Sequence, residues 1–264
     1  GRFFIMYKTK IGLKLMDRIA RKDEKKYMPW LGIFIILIGI ILGLITYLTG
    51  TIYPLGVGIV LILVGIIIAV PLRWTGLVSI GIGFLGMISM AVILVKGTIE
   101  SWLVAGAAPT VAPVLPGIAI MPGFPVLGFW HWIIAILIMA VIHEFSHGIY
   151  ARYHKVKIES SGFAFFGPLL AAFVEPDEKQ MNRKKKRKQL DILSAGPFSN
   201  IYTALIFLVI NVMIITPAAF AGLDVQGYTV SSIESDFPII DSGLEPGMII
   251  TQIDGVDIVE INQL

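Results

Sequence analysis

Residues 128–150 read GFWHWIIAILIMAVIHEFSHGIY, and no charged side chain stands in this stretch before Glu144. About 20 apolar residues in a helix cross a hydrocarbon core of ~30 Å, so the stretch predicts a transmembrane helix. Near its end lies His143-Glu144-Phe145-Ser146-His147. On a helix, positions i and i+4 share one face with side-chain bases ~6 Å apart. Both imidazoles can therefore hold one zinc ion, with the intervening carboxylate beside it as a proton shuttle. Ionisable groups at membrane depth are costly and usually functional. The competing reading is a buried histidine pair neutralised by Glu144, without metal. The spacing makes His143 and His147 the expected metal ligands and Glu144 the expected catalytic residue.

The rest of the chain agrees with a polytopic α-helical membrane protein. Of 264 residues, 56% are hydrophobic and 15% charged, where soluble domains carry about 25% charged; the mean hydropathy is +0.84. With no cysteine, disulfides, a thiolate zinc site and a cysteine nucleophile are excluded. Five spans are expected, near Trp30–Leu48, Ile52–Pro71, Trp74–Val95, Gly128–Tyr150 and Ile192–Thr216. Trp30, Trp74, Trp102, Trp130 and Trp132 fall at span ends, where amphipathic rings favour the interface.

Residues 1–28 are basic. Ile11, Leu15 and Ile19 recur every fourth position among Lys10, Lys14, Arg18, Arg21 and Lys22. A short helix lying on an anionic membrane surface is expected there, and no cleavable leader. The run Arg183-Lys184-Lys185-Lys186-Arg187-Lys188 reads as a topology signal rather than a nucleic-acid site. Both basic blocks place the N-terminus in the cytoplasm and the C-terminal segment outside. The lipid bilayer and a transmembrane protein or peptide substrate are the expected partners; the oligomeric state is not encoded legibly.

Four regions follow: a basic segment (1–28), accessory helices (29–106), a membrane core holding the motif (107–221) and a strand-rich tail (222–264). The proline-rich, nearly uncharged loop from Ala107 to Leu127 is expected to dip into the interface or cover a cavity. Between residues 153 and 178 the alternation in Val156-Lys157-Ile158-Glu159, followed by Leu170–Val174, predicts two or three short strands. An edge strand there could pair with an extended substrate. After Gly222, strands are expected at Gly227–Ile233, Met248–Ile253 and Val256–Val259, the last two joined by an Asp254-Gly255 turn. His154 is expected to be exposed, His131 interfacial, and Asp191 solvated or capping. Glu175, Asp177 and Glu178 read as loop charges, and Asn200 as a core or site-lining polar group.

The chain resembles the site-2 protease family of intramembrane zinc metalloproteases, in its archaeal and eukaryotic-type branch. The resemblance rests on Pro116-Gly117 through Pro122, His143-Glu144-Phe145-Ser146-His147-Gly148 and Gly167–Glu178, together with Ser194-Ala195-Gly196-Pro197-Phe198-Ser199-Asn200. Gly243-Leu244-Glu245-Pro246-Gly247 with Ile253-Asp254-Gly255 is similar to part of a PDZ domain. The resemblance implies zinc on His143 and His147, water activation by Glu144, and hydrolysis of peptide bonds within or next to transmembrane segments. It also implies a third zinc ligand, an Asp of a Leu-Asp-Gly motif, expected beyond Leu264 because Asp254 reads as a turn residue. Two alternatives remain: a catalytically inactive homologue acting as a membrane scaffold or peptide-binding protein, and a transporter. The transporter lacks the inverted repeats that class favours.

Overall fold

The computed structural model describes residues 4–10, 12–25, 28–103, 114–118, 126–166, 169–220, 228–230, 243, 245, 247–253 and 256–257. The chain opens with β1 (Phe4–Thr9) and α1 (Leu13–Ala20), followed by α2 (Met28–Thr49), α3 (Ile52–Ala69) and α4 (Leu72–Leu103). Next come α5 (Phe129–Tyr153), β2 (Ile158–Phe166), β3 (Leu169–Pro176), α6 (Glu178–Asn182) and α7 (Lys186–Ile210). A π-helical turn (Asn211–Ile215) runs into α8 (Thr216–Phe220), so the last apolar rod spans Lys186–Ala219. Among the described residues five helices are long and apolar enough to cross a membrane. They match the five expected spans, the largest difference being at the end of α4, which runs past the expected Val95 to Leu103.

Helices α2 and α3 are apolar on every side and present no amphipathic face. Lipid tails are as apolar as leucine, so close backbone packing must hold such a pair. Glycines provide it: a Cβ on Gly39 would sit 2.5 Å from the carbonyl oxygen of Gly58, and one on Gly65 would sit 2.8 Å from that of Gly32. Lys22 closes one end of the hairpin. Its Nζ donates to the carbonyls of Ile67 (2.5 Å) and Val70 (2.9 Å) at the end of α3, and burial pushes its ammonium below the usual lysine value.

Helix α5 ends in a Schellman turn. Val156 N–H donates to Ala151 O (2.8 Å) and Lys155 N–H to Arg152 O (2.9 Å), with Lys155 at φ 58°. The turn reverses the chain into β2. The hairpin β2–β3 is antiparallel, as the alternation predicts, but the third strand of the sheet comes from the N-terminus: the order is β1-β2-β3, with Tyr7 opposite Phe163 and Thr9 opposite Ser161.

The surface helix expected over residues 1–28 is thus only partly right. A strand precedes it, and α1 spends its buried side on protein rather than lipid. Met16 and Ala20 are buried, and Met16 packs against Gly148 of α5. The periodicity marked a helix but could not say what its apolar face meets. Met16 belongs to the core cluster with Leu72, Tyr150, Ala151, Val156, Ile158, Ile192 and Ala195.

Gly162 admits β1 to the sheet, because a Cβ there would collide with the carbonyl oxygen of Tyr7. Gly162→Ala is expected to release the strand. Overpacking of about 1–3 kcal/mol corresponds to roughly 5- to 150-fold faster amide exchange over residues 4–9. Unchanged exchange there would show that β1 holds its place without the glycine.

The short C-terminal pairs match the expected strands where they are described: Tyr228–Thr229 pairs with Ile249–Ile250, and Gln252–Ile253 with Val256–Asp257, each antiparallel. The Asp254-Gly255 turn lies outside the described residues, as does most of the proline-rich loop. Within the described part of that loop, Val114 O accepts from Trp132 Nε1 (2.7 Å) and Gly117 N–H donates to Leu127 O (3.0 Å).

Candidate active site

Helix α5 places His143, Glu144 and His147 over one and a fraction turns, all half-buried. The two imidazoles meet edge to face with centroids 4.7 Å apart. Facing them is the first half of α7, which packs against α5. The approach is possible because Gly196 has no side chain. A Cβ there would lie 2.5 Å from His143 Nε2 and 2.7 Å from His143 Cδ2, and would collide with His147 Nε2 as well. Both Nε2 atoms therefore converge on one point above Gly196.

The other ring nitrogens are engaged by α7. His147 Nδ1 lies 2.6 Å from the carbonyl oxygen of Ile192. A carbonyl only accepts, so Nδ1 carries the proton and Nε2 presents a lone pair. This backbone-pinned histidine is the usual arrangement behind a metal-bound ring. Pro197 lies within the same helix. It has no N–H for the Leu193 carbonyl and its ring crowds that turn. His143 Nδ1 contacts the side-chain amide of Asn200 (3.1 Å).

Glu144 turns the other way, toward the sheet. Its Oε2 accepts from the backbone N–H of Val174 on the edge strand β3 (3.1 Å). A cleft of about 430 Å³ opens at this point, lined by Glu144, His147, Phe173, Val174 and Leu193, with Met6 of β1. Glu175 borders it. The Ser160 hydroxyl (2.5 Å) and Lys8 (2.9 Å) both bond its carboxylate and hold it below the usual range.

A second polar cluster ties the ends of α4, α5 and α7 together. His154 Nε2 and Asp191 Oδ2 lie 2.8 Å apart, with side-chain exposures of 8% and 5%. Tyr150 bonds Thr75 (2.6 Å), and Ser79 bonds Ser194 (2.8 Å). Gly76 makes room for the cluster, since a Cβ on it would lie 3.0 Å from Asp191 Oδ1. Burial holds His154 below its ordinary imidazole value, against the pull of Asp191. The exposed His154 and solvated Asp191 expected from sequence are both corrected here: basic neighbours in the chain suggested solvent, whereas each side chain is the other's buried partner. Asp191 precedes Ile192, so this pair also secures the turn whose carbonyl holds His147.

Of the remaining expectations, Asp177 caps α6 by accepting from Gln180 N–H (3.0 Å). His131 is exposed at the first turn of α5, and Asp254 lies outside the described residues. Among the described residues no group of three His, Cys, Asp or Glu side chains is placed to hold a metal ion. The two imidazoles nevertheless fit one: their Nε2 atoms converge, and His147 is already held in the ligating tautomer. Sequence reasoning singled out these rings but not the Ile192 carbonyl or Met6. A backbone acceptor leaves no mark in a sequence, and a strand from a distant segment leaves very little.

The sequence model of peptidase family M50 matches residues 131–255. An uncharacterized protein of Methanocaldococcus jannaschii is 28% identical over 204 residues, covering 76% of this chain. The chain spans 41% of that relative's length. No solved structure matches the chain.

Proposed function

Since the sequence model of peptidase family M50 matches residues 131–255, we propose that this chain forms the membrane-embedded core of an intramembrane zinc endopeptidase. It hydrolyses a peptide bond within or next to a transmembrane segment of another membrane protein. The observation carrying this reading is the convergence of His143 and His147 Nε2 above Gly196, with Glu144 at the mouth of a cleft beside an edge strand.

When bound there, zinc supplies a Lewis acid for the scissile carbonyl and an acidified water. His143 and His147 hold the ion, and Glu144 accepts a proton and delivers it to the leaving amine. The Val174 N–H keeps the Glu144 carboxylate turned toward the cleft. An extended substrate lies in that cleft along β3, since edge strands add backbone partners. Catalytic zinc takes three protein ligands. The third is the Asp of a Leu-Asp-Gly motif in the whole protein beyond Leu264, and the tail from residue 222 is part of a PDZ domain. With Lys and Arg on the inner face, the N-terminus is cytoplasmic and the tail is outside.

The absence of a third ligand among the described residues favours one other reading, a catalytically inactive scaffold. Metal analysis of the full-length protein decides between them. One zinc per chain, lost in His143→Ala and in His147→Ala, supports the protease; a purified protein that takes up no zinc supports the scaffold.

A further inference from the structure

Asn200 sits one turn beyond Gly196 on α7, and its amide touches His143 Nδ1. As placed, the Nδ2 end faces the ring at 3.1 Å, while Oδ1 is buried without a hydrogen-bond partner. With Nδ2 donating, His143 Nδ1 must be a bare acceptor and the ring proton must reside on Nε2. That proton would occupy the point where the two rings converge, beside the lone pair that His147 presents there.

The two ends of a carboxamide have nearly the same shape, so hydrogen-bond demand decides which faces a partner. Turned about, Oδ1 meets His143 Nδ1–H, and Nε2 is left with a lone pair. Either orientation leaves one end of the amide without a partner, but only the turned one gives both rings the same tautomer. The carbonyl of Ile192 already imposes that tautomer on His147 from the same helix.

We propose that Asn200 is a positioning residue whose side-chain oxygen holds His143 in the Nδ1–H tautomer, making α7 the source of both outer partners of the histidine pair. This rests on the reading of His143 and His147 as a zinc site. Groups of this kind typically contribute 10- to 100-fold to metal affinity.

The test uses the full-length protein in detergent. In the metal-free wild type, nitrogen-15 shifts of His143 should show protonation at Nδ1; protonation at Nε2 would overturn the proposal without any variant. Zinc titration should then find Asn200→Ala weaker than wild type by about 10- to 100-fold. Asn200→Asp, which keeps the acceptor, should bind within a few-fold of wild type. Equal affinity of the alanine variant and the wild type sinks the role of Asn200 alone. Failure of the wild type itself to bind zinc sinks the metal site on which the role depends.

Discussion

With zinc held by His143 and His147 as proposed, Gly196→Ala should abolish zinc binding while leaving the fold in place. The added methyl would lie 2.5 Å from His143 Nε2 and collide with His147 Nε2, so it occupies the point on which both ligating nitrogens converge. Two opposed terms act on stability. Alanine is preferred over glycine in a helix by about 1 kcal/mol, while overpacking costs about 1–3 kcal/mol. The balance is a modest loss, on the order of 1 kcal/mol, because the imidazoles can swing away. Their swinging away is what removes the metal site. Zinc affinity is expected to fall by more than the roughly 100-fold that loss of an outer partner can cause, and cleavage with it. Thermal melting and zinc content measured on one preparation separate the two effects. Full zinc occupancy in a folded Gly196→Ala protein would mean that the nitrogens do not meet at this point.

Glu144→Gln tests a different link. The replacement has the same shape and still offers an oxygen to the Val174 N–H, which now bonds Glu144 Oε2 at 3.1 Å. Geometry is therefore preserved, and the capacity to accept a proton is lost. General acid–base catalysis contributes about 10²- to 10⁴-fold, and a drop in the cleavage rate of that size is expected. Zinc affinity should stay within a few-fold of wild type, since this side chain points to the sheet rather than to Gly196. Cleavage of a transmembrane substrate at the wild-type rate would remove Glu144 from the chemistry. Loss of zinc alongside activity would instead assign it to the metal's surroundings.

Much of this architecture is legible in the residues because it depends on local, one-dimensional patterns. Five long apolar runs must become helices once in lipid, since no other element satisfies its own backbone there. The spacing of His143 and His147 places both rings on one face whatever surrounds them. Other features depend on partners far along the chain. The alternation around Ile158 showed strands but not that Phe4–Thr9 would join them. The charges around His154 and Asp191 suggested exposure, because nothing local reveals that Gly76 on a third helix makes room for a buried pair. Asn200 was recognisable as polar within an apolar rod, but its contact with His143, 57 residues away, was not.

The sequence alone thus determined that two imidazoles and a carboxylate enter the membrane together on one helix, because helical period and hydropathy are properties of neighbouring residues. Only the tertiary structure decided which nitrogen of His147 is free to act. That choice is made by a carbonyl at Ile192, brought alongside by a glycine that lets two helices nearly touch. A proton's position on an imidazole follows from the group facing it, and that group is supplied by packing rather than by spacing along the chain.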